Sequence, residues 1–419
     1  VPSGVEPITQ ASRTARLAPG AVPAGLFLVY AAVFVGLAAV SVVYLPRRVA
    51  ELAPDDKLGL LALVTTASSL VVMLAQPIIG MLSDRTRGSL GRRLPWMIAG
   101  AVSAGVLLPS MGLAGGAIAI GLLWVGVELS LNVVLAPAAA ATVDLVPERR
   151  RGLVAGVTGA GFLAGSALGA SVVGGMMLST ALGLWTAAVL PLLGVAAFAV
   201  LTRARTPAPP SAARARVRAG FATAVRELSA RPDFAWAFLS RALVTLAHSV
   251  LVTYLLYIAE DHLGLAADEA DAFAGLLVAV ILAASLPTLL LGGILSDRTG
   301  RRRGVVAATT LAMAASLIIP LTLRDASAML VFAAVFGLAY GAYTSSAKAL
   351  NTLVLSDGER RAGRDLGVLN IAAILPQVVA PGVAWLVVSA TGGYGALFAV
   401  SLVLAALGAV AILRVRSVR

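Results

Sequence analysis

The stretch Leu82-Ser83-Asp84-Arg85-Thr86 occurs a second time as Leu295-Ser296-Asp297-Arg298-Thr299. Each copy follows a long apolar run and precedes a cluster of arginines. The copies stand 213 residues apart, 84 to 297, about half of the 419-residue chain. A second pair, Glu148-Arg149-Arg150 and Glu359-Arg360-Arg361, keeps a spacing of 211, as do Gly156-Val157 and Gly367-Val368. Two similar halves, each with the same charged hinge between apolar runs, form the pattern of a duplicated membrane carrier.

Composition agrees. Hydrophobic residues make up 59% of the chain and charged residues 12%, with a mean hydropathy of +0.94. Soluble domains hold about 45–50% and about 25% respectively. With no cysteine there is no disulfide, thiolate metal site or cysteine nucleophile. The two histidines, His248 and His262, are too few for an imidazole metal centre, so no metal is expected. The net charge of +12 is topogenic. With both termini cytoplasmic, 27 of the 32 Lys and Arg residues fall on the cytoplasmic side. No basic patch is interleaved with aromatics, so nucleic acid is not a partner. The lipid bilayer is.

Crossing a membrane takes about 20 apolar residues. The chain supplies twelve such runs, near 22–45, 58–82, 95–113, 116–141, 153–178, 182–201, 234–258, 272–295, 304–322, 328–349, 366–389 and 394–413. The first exceeds a signal peptide's apolar core and has no hydrophilic mature domain behind it. The chain begins at Val1 rather than Met, as a trimmed or processed chain would. The expected organisation is an N-terminal cytoplasmic tail (1–21), a six-helix bundle (22–201), a cytoplasmic linker (202–232), a second bundle (233–413) and a cytoplasmic tail (414–419). The linker carries Pro207, Pro209 and Pro210, then Arg214, Arg216 and Arg218, and a short surface helix is expected over 219–230. In the fifth span Gly161, Gly165 and Gly169 recur every four residues. They serve either close helix packing or a rocking surface between the halves.

The string from Gly80 through Asp84, Arg85, Arg87, Gly91, Arg92 and Arg93 to Pro95-Trp96 resembles the loop between helices 2 and 3 of the major facilitator superfamily. Its ending, Gly-Arg-Arg-x-Pro-Trp, is similar to that of the glycoside–pentoside–hexuronide:cation symporters and the plant sucrose carriers. The run Gly363-Arg364-Asp365-Leu366-Gly367, with Asn370 and Leu375-Pro376-Gln377, is similar to a bacterial group in that neighbourhood. The resemblance implies an all-α membrane protein, with twelve transmembrane helices in two pseudo-symmetric six-helix bundles. It implies that helices 1, 4, 7 and 10 line a central cavity and that the charged loops hold one access state. Asp84, Arg85, Arg92, Asp144, Asp297 and Arg298 are the gating candidates; the alternative is plain topogenic charge. An exposed ion pair contributes only about 0–1 kcal/mol, which suits a switch. Melibiose-type permeases carry acidic residues in helices 1, 2 and 4, whereas spans 1 and 2 here have none. Sodium coupling is therefore less favoured than the proton gradient, and no cofactor is expected. The Gly-Pro pair typical of helix 5 in drug–proton antiporters is also missing.

Ionisable groups at membrane depth are expensive and mark function. Glu128 lies about 20 Å deep in span 4 at 1.5 Å per residue. Trp124 and Asn132 share its helical face at i−4 and i+4. Span 7 carries Arg241, Thr245 and His248 on one face. Given the cavity that the resemblance implies, Glu128 is expected to face His248 or Arg241 across the halves. These three with Asn132 are the candidates for proton coupling and substrate orientation; the alternative is a fixed ion pair or a buried, hydrogen-bonded histidine. Tyr30, Phe34, Trp124, Tyr340, Tyr343, Asn370 and Gln377 are candidate cavity residues, suited to sugar rings or flat organic molecules, or else they pack helices. Lys348 is expected to snorkel.

No nucleophile–base set, metal cluster or phosphate-cradling loop is present, so an enzyme is not expected. A passive channel or scaffold would show no substrate counterflow. The expected function is secondary active transport of a small organic solute by alternating access in the cytoplasmic membrane, as a monomer. Proton-coupled uptake of a sugar or glycoside is preferred; the alternative is proton-coupled export of a drug or secondary metabolite.

Overall fold

The computed structural model describes residues 20–179, 181–202, 231–299, 302–353 and 359–415. Twelve helices among them are long and apolar enough to cross a membrane. They are α1 (Ala21–Leu52), α2 (Pro54–Arg85), α3 (Leu94–Met111), α4 (Ala117–Leu145), α5 (Arg150–Met176) and α6 (Ala181–Thr202) in the first half. The second half holds α7 (Pro232–Thr253), α8 (Ala267–Leu289), α9 (Arg303–Thr322), α10 (Ala326–Ala347), α11 (Ile371–Thr391) and α12 (Gly395–Leu413). These match the twelve expected runs in order and number. Most of the N-terminal tail, most of the linker with its expected helix at 219–230, and residues 416–419 lie outside the described residues. The side chains of Asp297, Arg298, Lys348 and Asn370 do too.

Lipid offers no partner for a bare N–H or C=O, which forces each apolar run into a helix that bonds to itself. Side-chain hydroxyls follow the same rule. Thr65 donates to the Leu61 carbonyl at 2.6 Å, Ser130 to Gly126 at 2.7 Å, Thr202 to Phe198 at 2.7 Å and Ser285 to Ile281 at 2.6 Å. Large apolar side chains such as Leu63, Val106, Leu122, Trp185 and Leu386 point outward, as a lipid-facing surface requires.

The duplication is visible in the packing. In the first half α1 packs on α5 and α6, α2 on α4, and α3 on α4 and α6. In the second half α7 packs on α11 and α12, α8 on α10, and α9 on α10 and α12. Shifting each first-half helix by six reproduces the second-half list. The halves meet through α2 against α11 and α5 against α8. Under the same shift these are one contact made twice, the mark of a two-fold relation. One pairing breaks the symmetry. α1 packs directly on α4, whereas α7 and α10 meet mainly through side chains, His248 lying on Tyr340.

The glycine stripe of α5 faces α1, within one half. A Cβ on Gly161 would sit 2.7 Å from the Phe27 carbonyl oxygen. At Gly165 and Gly169 it would run into the backbone of Ala31 and Val35. Packing is thus its use, not a rocking surface. The close approach between halves is made instead by Gly275 of α8 against Ala170 and Ser171 of α5. Beside it, α5 loosens into a π-helical turn at Gly169–Val173 that touches another in α1 at Ala39–Tyr44.

Candidate functional site

The first-half side of the site is a polar seam between α4 and α2. Glu128 is half-buried in the middle of α4 with the fully buried Ser68 of α2 beside its carboxylate. One turn on, Asn132 donates to the Glu128 carbonyl at 2.9 Å and accepts from Gln76 of α2 at 3.1 Å. One turn back, Trp124 is buried and its indole N–H has no hydrogen-bond partner. Asn132 is therefore spent on holding two helices together, while Glu128 and Trp124 keep unused polar capacity. Tyr30 stacks on Phe34 of α1 at 6.3 Å, and Phe34 meets Phe162 of α5 edge-on at 4.6 Å.

The second-half side is a cluster of three nearly parallel rings between α7 and α10. His248 lies on Tyr340 at 4.5 Å with 10° between planes and stands 6.0 Å from Phe336, which lies 6.2 Å from Tyr340 on the same helix. Arg241, two turns from His248, lies close enough for its charge to act on the hydroxyls of both Tyr340 and Tyr343. Its Nε is buried without a partner.

Among the described residues Glu128 and Arg241 form no ion pair, with each other or with anything else. The expected meeting of Glu128 with Arg241 or His248 is not made in this structure. The carboxylate turns toward α2 in its own half, and the guanidinium turns toward α10. Gln377 is exposed and donates to its own helix at the Ala373 carbonyl, 2.7 Å away, so nothing ties it to the other candidates.

Three of the four gating candidates of the first half, Asp84, Arg92 and Asp144, come together around a residue that was not among them. Arg93 is buried and its guanidinium holds Asp84 at 2.5 Å, Asp144 at 3.0 Å and the Ser83 hydroxyl at 3.0 Å. Arg92 adds a second contact to Asp144 at 2.8 Å. Trp96 donates its indole N–H to Thr86 at 2.7 Å. Arg85 is exposed and outside this cluster, because adjacent helical residues point about 100° apart. The chain instead reverses at Gly91, whose φ of 75° favours glycine, and returns Arg93 between α2 and α4. The first copy of the repeat is thus a largely buried tie among α2, α3 and α4, not the exposed pair that the sequence suggested.

At the opposite end of the molecule, where α1 leads into α2, lies a charged latch that sequence reasoning missed. Arg47 donates from Nε to Asp271 at 2.9 Å, from Nη2 to the Ala267 carbonyl at 2.8 Å, and pairs with Glu260 at 3.2 Å. Lys57 pairs with Asp261 at 2.8 Å, and the Tyr394 hydroxyl donates to the same carboxylate at 2.6 Å. Tyr257 donates to the Pro46 carbonyl at 2.9 Å and Tyr254 to that of Leu58 at 3.0 Å. Burial, reinforced by the bond to Asp261, holds the Tyr394 hydroxyl far above the usual phenol range, so it stays a donor. Among the described residues every hydrogen bond and ion pair that joins the halves lies here. A signal for it existed. Arg47 and Glu260 stand 213 residues apart, and Pro46 and Tyr257 stand 211 apart, the repeat spacings themselves. Matched positions of two related halves touch only near the axis that relates them.

A family model described as MFS/sugar transport protein matches residues 56–413. The chain belongs to that family of the major facilitator superfamily. It is accordingly a multi-pass membrane protein and a secondary transporter working by alternating access. No curated protein matches it. Among solved structures, it is similar to a bacterial homologue of the human lysosomal transporter Spinster in an inward-facing, unoccupied conformation. That likeness has a TM-score of 0.65 at 17% identity, over 95% of each chain. The same homologue in an inward-facing, occupied conformation gives 0.63 at 16% identity, over 94% of each. In this transporter the polar seam and the ring cluster belong to different halves, and the latch ties the halves together at one end.

Proposed function

We propose that this transporter couples proton movement to the uptake of a sugar or glycoside across the cytoplasmic membrane, with both termini in the cytoplasm. The observation that carries the reading is Glu128. Among the described residues it is the one carboxylate in the interior of a span, it has no cationic partner, and it lies beside Ser68. A bare carboxylate at that depth is costly as an anion, so loading and release of a proton there is tied to access and to substrate. The family description and the rings of α1, α7 and α10 support a sugar, since aromatic faces with polar tips suit sugar rings. The interior of α1 and α2 offers no carboxylate to hold sodium. The excess of Lys and Arg on the terminal side supports an external latch, with the Asp84–Arg93–Asp144 cluster as the inner gate. The protein acts as a monomer with the proton gradient as its driving force. One feature favours a second reading, export of a drug or secondary metabolite: the cluster of Phe336, Tyr340 and His248 presents mostly ring surface.

The test uses proteoliposomes. The expected result is sugar-driven proton movement that Glu128→Gln abolishes, with counterflow of the sugar retained. Full proton movement in Glu128→Gln removes the coupling role. Stabilisation by lipophilic cations alone, in a thermal-shift screen against sugars, replaces uptake with export.

A further inference from the structure

Arg241 poses a problem that the proposed function leaves open. The side chain sits nine residues into α7, about 13 Å along the helix. Among the described residues it has no ion pair and no hydrogen bond, and its Nε is shielded from solvent. The interiors of α7 to α12 contain no carboxylate at all. Glu128, the one interior carboxylate of the other half, is turned toward Ser68. A fixed cation at membrane depth needs a counter-charge, and here the protein does not provide it.

What surrounds Arg241 describes the missing partner. The guanidinium offers a planar fork of donors that fits a carboxylate in two-point fashion. The hydroxyls of Tyr340 and Tyr343 stand in its field and can donate to the same group. The rings of His248 and Tyr340 stand on the same two helices, backed by the buried Phe336, with all three planes within 20° of one another. A flat or gently puckered ring laid against such a pair gains stacking contact. α7 and α10 are also the pair whose backbones stand apart where their first-half counterparts pack directly, so their side chains face each other across the gap.

We infer that the transported solute is a ring-bearing organic acid whose carboxylate takes Arg241 as its counter-ion while its ring rests against the His248–Tyr340 pair. This rests on the reading of the residues between the halves as the substrate site. It narrows that reading from sugars in general to acidic ones, and it admits an aromatic acid as the other source of the same chemistry.

The experiment measures calorimetric binding to the full-length purified protein for two matched pairs: glucuronate against glucose, and benzoate against benzyl alcohol. In each pair only the acid differs in charge. In the wild type the acid of at least one pair is expected to bind about tenfold tighter than its neutral partner. Arg241→Gln is expected to erase that preference, Arg241→Lys to retain part of it, and Arg48→Gln, which removes a cation paired with Glu51 of its own helix, to retain it fully. The wild-type comparison stands alone should Arg241→Gln fail to fold. Absence of an acid preference in both pairs, including no binding by any of the four compounds, overturns the inference, as does a preference that survives Arg241→Gln. A benzoate preference without any glucuronate binding keeps Arg241 in its role and removes the sugar reading instead.

Discussion

Arg93 is asked to satisfy two carboxylates and a hydroxyl from a position almost out of reach of water. Replacing it by Gln leaves Asp144, itself 3% exposed, with Arg92 as its remaining basic contact in the cluster. Removing one member of a buried charge cluster costs about 3 kcal/mol. Arg93→Gln should therefore lower the melting temperature of the purified protein clearly. Arg85→Gln, at an exposed site, should stay within about 0.5 kcal/mol of wild type. Equal losses at the two positions would mean that the cluster is not what holds the loop. The sequence marked this loop but not its centre. Asp84-Arg85 are neighbours in the string, and only the reversal at Gly91 shows that the useful guanidinium arrives from eight residues later. Glu128, Arg241 and His248 were legible as membrane-depth charge, because burying such groups is expensive wherever they point. Their partners were not legible, since helical periodicity fixes a face but not the neighbour that face meets.

Helices were the easiest level to read. Twelve runs of sufficient length and hydropathy are an energetic requirement of the bilayer, and the charged loops between them cannot enter it. The glycine stripe of α5 was half legible. Its period announces that a backbone comes close, and leaves open whether that backbone belongs to the same half. The structure assigns it to α1, and the assignment has a consequence. Gly165→Val places a side chain against Ala31 where no space exists, and overpacking of this kind costs about 3 kcal/mol. Gly156→Val, on the same helix, meets nothing within 4 Å and removes a flexible residue, so it should be neutral or slightly stabilising. Thermal unfolding followed by size-exclusion chromatography separates the two; a Gly165→Val protein as monodisperse and heat-stable as Gly156→Val contradicts the close α1–α5 approach.

At the scale of the molecule, alternating access is an equilibrium between two arrangements of the halves, and contacts present in only one of them set its position. The Arg47 cluster belongs to the arrangement seen here. It is partly buried, so salt screens it less than a surface pair. It also lies near the two-fold axis, so neither half can swing at that end without breaking it. Arg47→Ala removes a cation shared by Glu260, Asp271 and the Ala267 carbonyl. A differential loss of about 2 kcal/mol moves the population ratio roughly thirtyfold. Arg48→Ala is the control, because Arg48 pairs with Glu51 on its own helix and with the Ala114 carbonyl of its own half. The chain contains no cysteine, which leaves introduced ones as unambiguous reporters. Spin labels at Asp55→Cys and Asp268→Cys, exposed sites in different halves at the latch end, read the separation directly by double electron–electron resonance. The wild type and Arg48→Ala should give mainly the short distance. Arg47→Ala should shift weight to a longer one, and Arg47→Glu combined with Glu260→Arg should recover part of the short population, Asp271 opposing full recovery. An unchanged distance distribution in Arg47→Ala would show that α2–α11 and α5–α8 packing alone holds this end shut, with Gly275 against Ala170 as the contact to test next.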